Sequence, residues 1–242
     1  MSAGPAPERP YVLLSCATSI DGYIDDASDQ RLLLSNADDL DRVDAVRASC
    51  DAILVGASTI RHDDPRLLVR SAQRRAERLA CGRPASPIKV TLTTRGDLDP
   101  SARFFTAGEP SRGGAPGRLV YCASGSLEKA RERVGRLATV VDAGEQVDPG
   151  WLLGDLAARG VRRLMVEGGA TVHAQFLNAG LADELHLVIA PFFVGDARAP
   201  RFASEGAYPW NPGHRAKLAE VRQIGDVVLL RYALSTRCPE VP

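Results

Sequence analysis

The period of apolar and polar positions changes repeatedly along this chain of 242 residues, and each change marks a strand or a helix. Tyr11 to Ala17 is a continuous apolar run, the pattern of a strand buried on both faces, and Ser19-Ile20-Asp21-Gly22 closes it with turn residues. Asp25 to Gln30 is a polar loop. Ser35 or Asn36 caps a helix with Asp38 and Asp39 in its first turn and Leu40, Val43 and Val46 at helical spacing. Arg47 stands at its far end, one step off that apolar stripe. Asp51 to Val55 is the next strand, and it runs into Gly56-Ala57-Ser58-Thr59, small residues that let another group approach the backbone. Pro65 stops any helix at or before Asp64, which makes Arg61 to Arg70 a charged loop. Ser71 to Pro87 is an Arg-rich excursion with a short helix, and its basic run is read as a solvated face.

The second half repeats the alternation. Ile88 to Thr93 is a strand ended by Thr94-Arg95-Gly96, and Pro100 to Arg118 is a Gly- and Pro-rich loop. Leu119 to Cys122 is a strand, Leu127 to Leu137 a helix, and Ala138 to Val141 a strand. Asp148-Pro149 sets an N-cap before a proline at the first helical position and opens a helix through Leu152, Leu153, Leu156 and Ala157. Val161 to Val166 runs as a strand into Glu167-Gly168-Gly169. Val172 to Ala179 is helical, and Gly180 fits its C-terminal cap. Asp183 to Val188 begins another strand, ended within Ala190 to Asp196. Ala216 to Ile224 and Val227 to Leu234 flank Gly225-Asp226, a two-residue hairpin turn. Strands alternating with helices predict an α/β fold with helices on both faces of a mostly parallel sheet and an antiparallel C-terminal edge. One domain spans residues 11–236, with Met1 to Pro10 a disordered lead-in and 237–242 a short tail.

Composition narrows the partners. Thirty basic and thirty acidic residues balance, so no global field draws the molecule to nucleic acid or an anionic membrane, and an anionic ligand must be small and held locally. Five cysteines without a Cys-x-x-Cys pair suit reduced thiols in a cytoplasmic protein, with Cys16 and Cys50 packed in the core. His62, His173, His186 and His214 lack metal-ligand spacing, and no metal is expected. The first ten residues lack the apolar core of a signal peptide or a membrane span.

Ligands of open α/β sheets bind at the carboxyl ends of strands, and three junctions qualify here: Ala17 to Gly22, Gly56 to Arg70, and Glu167 to Thr171. A Gly-x-x-x-x-Gly-Lys-Ser/Thr loop and a Gly-x-Ser-x-Gly elbow are both missing, which removes the main support for nucleotide or serine hydrolysis. Glycines between a strand and a helix start suit an anionic ligand, or simply close packing of the two elements. Asp21 beside Gly22 either fixes a turn or serves in catalysis. Arg47 and Arg70 supply the rigid guanidinium forks that phosphate recognition uses.

Three blocks, Tyr11 to Gly22, Asp51 to Arg70 (DAILVGASTIRHDDPRLLVR) and Val166 to Gly195 (VEGGATVHAQFLNAGLADELHLVIAPFFVG), resemble the signature blocks of the riboflavin-pathway pyrimidine reductases. The resemblance implies a three-layer α/β/α dihydrofolate-reductase-like domain, NADPH as hydride donor and a homodimer. It also implies reduction of a ribosylaminopyrimidine 5′-phosphate to its ribitylamino product. Position by position it assigns Ala17, Thr59, Asp63 and Thr94 to the cofactor. Gly168, Gly169, Ala170, Thr171 and Val172 join them, in a segment that continues to Gln175. Arg47, Leu67, Arg70 and Glu167 fall to the substrate, the arginines toward its phosphate and Glu167 toward the polar edge of the pyrimidine or sugar, where it could polarise the reacting group. The chain departs from many bacterial members at Ser15, where they carry lysine, and at Arg31-Leu32-Leu33-Leu34-Ser35, where they carry Ser-x-Trp-Ile. The diamino and the deaminated pyrimidine both remain open as substrates. So do two other readings, a reductase of the same fold acting on a pterin or a secondary-metabolite intermediate, and a module that binds NADPH without turnover.

Overall fold

A computed structural model describes residues 9–28, 32–108 and 117–239. Nine strands form one sheet in the order β5-β4-β3-β2-β6-β1-β7-β9-β8. They are β1 (Tyr11–Ser19), β2 (Ala52–Gly56), β3 (Ile88–Thr93), β4 (Arg118–Cys122), β5 (Thr139–Asp142), β6 (Arg163–Gly168), β7 (Glu184–Ala190), β8 (Lys217–Ile224) and β9 (Val227–Ala233). Every pairing from β5 through β7 is parallel, whereas β9 runs antiparallel to both β7 and β8. The expected parallel sheet with its C-terminal hairpin is therefore present.

Alternation along the central strands builds two cores. Val12, Leu14, Leu54 and Val166 face a layer made by α6 (Pro149–Ala158) and α7 (Ala170–Asn178). Leu13, Ile53, Val55 and Met165 face α1 (Ala37–Ser49), α2 (Ala57–Asp63), α4 (Arg103–Thr106) and α5 (Leu127–Val134). A period of two along β1, β2 and β6 thus supplies both faces of a three-layer domain. The caps behave as their residue types dictate. Asn36 accepts from the amide of Asp39, and Asp148 accepts from that of Trp151 with Pro149 next to it.

Three expectations change. Arg61 to Asp63 is the last turn of α2 and not loop: Pro65 acts where expected, and the chain leaves the helix at Asp64, which is left-handed at φ 41°. The loop expected over Pro100 to Arg118 contains the short α4, whose C-terminal carbonyls are capped by buried Lys89; residues 109–116 lie outside the described residues. The Arg-rich excursion, which holds α3 (Ala72–Ala80), is not simply a solvated face. Arg78 is buried and donates to the carbonyls of Ala48, Cys50 and Pro84, satisfying the end of α1, and Arg74 pairs with Asp41 and Asp44. Arg9 and Arg237 converge on the carboxylate of Asp183, which also accepts from Val12 and Ser235, while residues 1–8 and 240–242 lie outside the described residues.

Candidate active site

The carboxyl ends of the adjacent strands β2, β6 and β1 meet at one edge of the sheet, and each of the three expected junctions lies there. A cavity of about 640 Å³ opens beside them, between α1, the end of α2 and the segment that follows it. Six of the residues expected to bind ligands line it together: Arg47, Thr59, Asp63, Leu67, Arg70 and Glu167.

In its lining Arg47 and Glu167 form a bidentate pair, Nε to Oε1 at 2.6 Å and Nη2 to Oε2 at 2.6 Å, although they lie 120 residues apart. Burial works against the charge on Arg47, and the carboxylate outweighs it, holding the guanidinium above its ordinary value. Leu67 is buried in a left-handed conformation at φ 49°, an uncommon state for a branched residue and one found where a loop is shaped for a task. Arg70 keeps more than half of its side chain exposed and donates to the Leu40 carbonyl at 2.5 Å.

Three further arginines line the same cavity. Arg103 is neutralised by Asp64 at 2.8 Å, Arg75 donates to the carbonyls of Val69 and Arg70, and Arg66 has no hydrogen bond or ion pair among the described residues. Five arginines against the carboxylates of Asp63, Asp64 and Glu167 leave a surplus of two positive charges, suited to a phosphate dianion. The charged run Arg61 to Arg70 was the available signal for Arg66; Arg103 sits in a separate stretch that nothing local marks.

The second half of the site is made of backbone. α2 begins after Gly56 and α7 after Gly169, and neither has a side-chain cap, so the first amides of both helices lack a side-chain acceptor. A Cβ on Gly169 would stand 3.2 Å from Thr59 Oγ1, and one on Gly56 would stand 3.0 Å from Val172. Bare glycine is therefore what lets the two helix starts approach, and the cradle fits the phosphates of a dinucleotide. Thr171 and Thr94 are exposed near this edge, Ala170 is half-buried, and Ala17 is half-buried in β1. None of these four lines the arginine cavity, nor do Gly168, Gly169 and Val172.

Two further residues are placed by the fold. Asp21 accepts from the Ser19 hydroxyl at 2.5 Å and from the amides of Val194 and Gly195, so its carboxylate closes the turn after β1 onto the segment after β7. His173, which metal-ligand spacing passed over, is buried against the end of β6. Its Nε2 lies 3.1 Å from where a Gly168 Cβ would be, and its ring meets Phe202 edge-on at 5.3 Å. Burial lowers it to about 4, so the ring is neutral near neutral pH.

A family model described as the RibD C-terminal domain matches residues 10–230. The chain belongs to the RibD C-terminal domain family. Within it, this member is 35% identical over 219 residues to a 2,5-diamino-6-ribosylamino-4(3H)-pyrimidinone 5′-phosphate reductase of Archaeoglobus fulgidus, covering 90% of this chain and 95% of the relative. A protein of the same name from Methanothermobacter thermautotrophicus is 32% identical over 227 residues, covering 93% and 99%. Among solved RibD structures, that of Acinetobacter baumannii is similar with a TM-score of 0.73 and 25% identity, over 93% of this chain and 58% of that one.

Proposed function

We propose that this member of the RibD C-terminal domain family is an NADPH-dependent reductase of riboflavin biosynthesis. It converts a ribosylaminopyrimidine 5′-phosphate to the ribitylaminopyrimidine 5′-phosphate. Relatives named for the diamino pyrimidinone favour that form of the substrate over the deaminated one. The observation that carries the reading is the bidentate Arg47–Glu167 pair inside a cavity rimmed by surplus arginine, next to two uncapped helix starts.

The cofactor, when bound, supplies a hydride to C1′ of the ring-opened imine, whose nitrogen takes up a proton to become the amine. The chain places and orients. Amides at the starts of α2 and α7, with Thr59, Asp63, Ala17 and Thr94 around them, hold the dinucleotide. Arg47, Arg66 and Arg70 face the 5′-phosphate, and Leu67 packs against the sugar-pyrimidine body. Glu167, parted from Arg47 as the phosphate claims the guanidinium, accepts from donors of the pyrimidine or sugar. A site whose half-buried carboxylate must find donors disfavours ligands that lack them.

The active form is a cytoplasmic homodimer. The exposed Leu218 and Val221 of edge strand β8 support self-association, and among the described residues no helix is long and apolar enough to cross a membrane. Complementation of a riboflavin auxotroph lacking the reductase tests the function. Rescue is the expected result, and a well-expressed chain that fails to rescue would remove the assignment.

A further inference from the structure

One buried carboxylate next to the cavity has no place in the chemistry just described. Asp44, 2% exposed, lies in the middle of α1. Its Oδ1 accepts from the backbone amide of Arg70 at 2.5 Å, and its Oδ2 accepts from the amide of Ser71 at 3.1 Å and from Arg74 Nη1 at 2.9 Å. Burial alone would raise this carboxyl, but the two amides and Arg74 outweigh it and hold it below the usual range.

Spacing makes the placement specific. Leu40, Asp44 and Arg47 recur as i, i+4 and i+7, one face of α1. The Leu40 carbonyl receives the Arg70 guanidinium, Asp44 receives the Arg70 backbone, and Arg47 holds Glu167. A single helix face thus fixes both sides of the cavity. The loop it fixes contains left-handed Leu67, a backbone state that needs anchors on either side, and besides Asp44 the Ser86 hydroxyl takes the amide of Val69 at 3.0 Å.

We infer that Asp44 is a positioning residue for the ligand's phosphate: by holding the amides of Arg70 and Ser71 against α1, it presents the Arg70 guanidinium to that group. This rests on the reading of the ligand as phosphorylated. The competing role is a purely structural one, since Ser71 caps α3 and Arg74 stands in its first turn, so that Asp44 would merely dock α3 on α1. A carboxylate is required in either role, because asparagine offers one acceptor oxygen where two amides now find one each.

The test is a double-mutant cycle read by calorimetric titration of ribose 5-phosphate, and separately of NADPH, into the full chain as wild type, Asp44→Asn, Arg70→Ala and the double variant. Asp44→Asn is expected to weaken ribose 5-phosphate about ten-fold while NADPH affinity stays within about two-fold. In the Arg70→Ala background the same change is expected to add less than about two-fold. The inference is overturned by multiplicative effects, by equal weakening of NADPH, by unchanged ribose 5-phosphate affinity in Asp44→Asn, or by a wild type that does not bind ribose 5-phosphate. Should Asp44→Asn not fold, Asp44→Glu, which moves the carboxylate out by one methylene, carries the same cycle. A cycle with the expected outcome in a protein that does not turn over the pyrimidine phosphate would sink the proposed function and leave the role of Asp44 standing.

Discussion

The two halves of the site are built from different materials. On the substrate side, long charged side chains pair with one another: Arg47 with Glu167, Arg103 with Asp64, Arg70 beside Asp44. On the proposed cofactor side, glycines bring two helix starts together and leave their first amides without side-chain acceptors, with a neutral histidine packed behind them. Side-chain recognition is specific and fails when a charge is removed. Backbone recognition tolerates a change of charge and fails when a Cβ is added.

The largest expected effect sharpens the claim that the backbone half is supported by an apolar interior. His173 is lowered from 6.5 to about 4 in the folded protein, so the unfolded chain binds its proton first as pH falls. Stability is therefore expected to decline from pH 6.5 to 4 by on the order of 3 kcal/mol through this group, and to level off below. Denaturant unfolding across that range should show the decline in wild type and a flatter curve in His173→Leu. Parallel curves would remove His173 from the account.

Next comes Glu167→Gln, which leaves Arg47 without its carboxylate. We expect kcat/KM to fall by about 2 kcal/mol in transition-state terms while NADPH affinity is retained. Steady-state kinetics beside cofactor titration checks this, and a matching loss of NADPH would erase the distinction between the halves. Gly169→Ala is the reciprocal change. Its φ of −74° lies outside the left-handed region, and the new Cβ meets Thr59 Oγ1 at 3.2 Å. NADPH is expected to weaken about ten-fold with ribose 5-phosphate unaffected, the cost of a small steric clash between the helix starts. The smallest effect belongs to Arg66→Ala: an exposed guanidinium contributes under about 1 kcal/mol, seen as a several-fold rise in KM for the phosphorylated substrate.

What the sequence made legible follows the same division. Strands, caps and junctions are local patterns, so Asn36, Asp148-Pro149, Gly180 and Gly225-Asp226 mark their elements from a few neighbours. The backbone half is local in the same sense, since Gly56 and Gly168-Gly169 each sit where a strand ends and a helix begins. The charged half is long-range. Resemblance points Arg47 and Glu167 each toward the substrate, but their pairing spans 120 residues. Arg78 resembles any helical surface arginine until folding brings the carbonyls of Ala48 and Cys50 to it. Asp44 sits in a helix whose apolar stripe of Leu40, Val43 and Val46 gives no hint of a buried carboxylate. Such positions become visible only when the partners supplied by folding are known.

Oxidation of NADPH by the purified chain, followed in parallel with the diamino ribosylaminopyrimidine 5′-phosphate and with dihydrofolate, tests the central claim most directly. The account predicts turnover of the phosphorylated pyrimidine and none of dihydrofolate. Turnover of dihydrofolate, or NADPH binding without reduction of the pyrimidine phosphate, would contradict it.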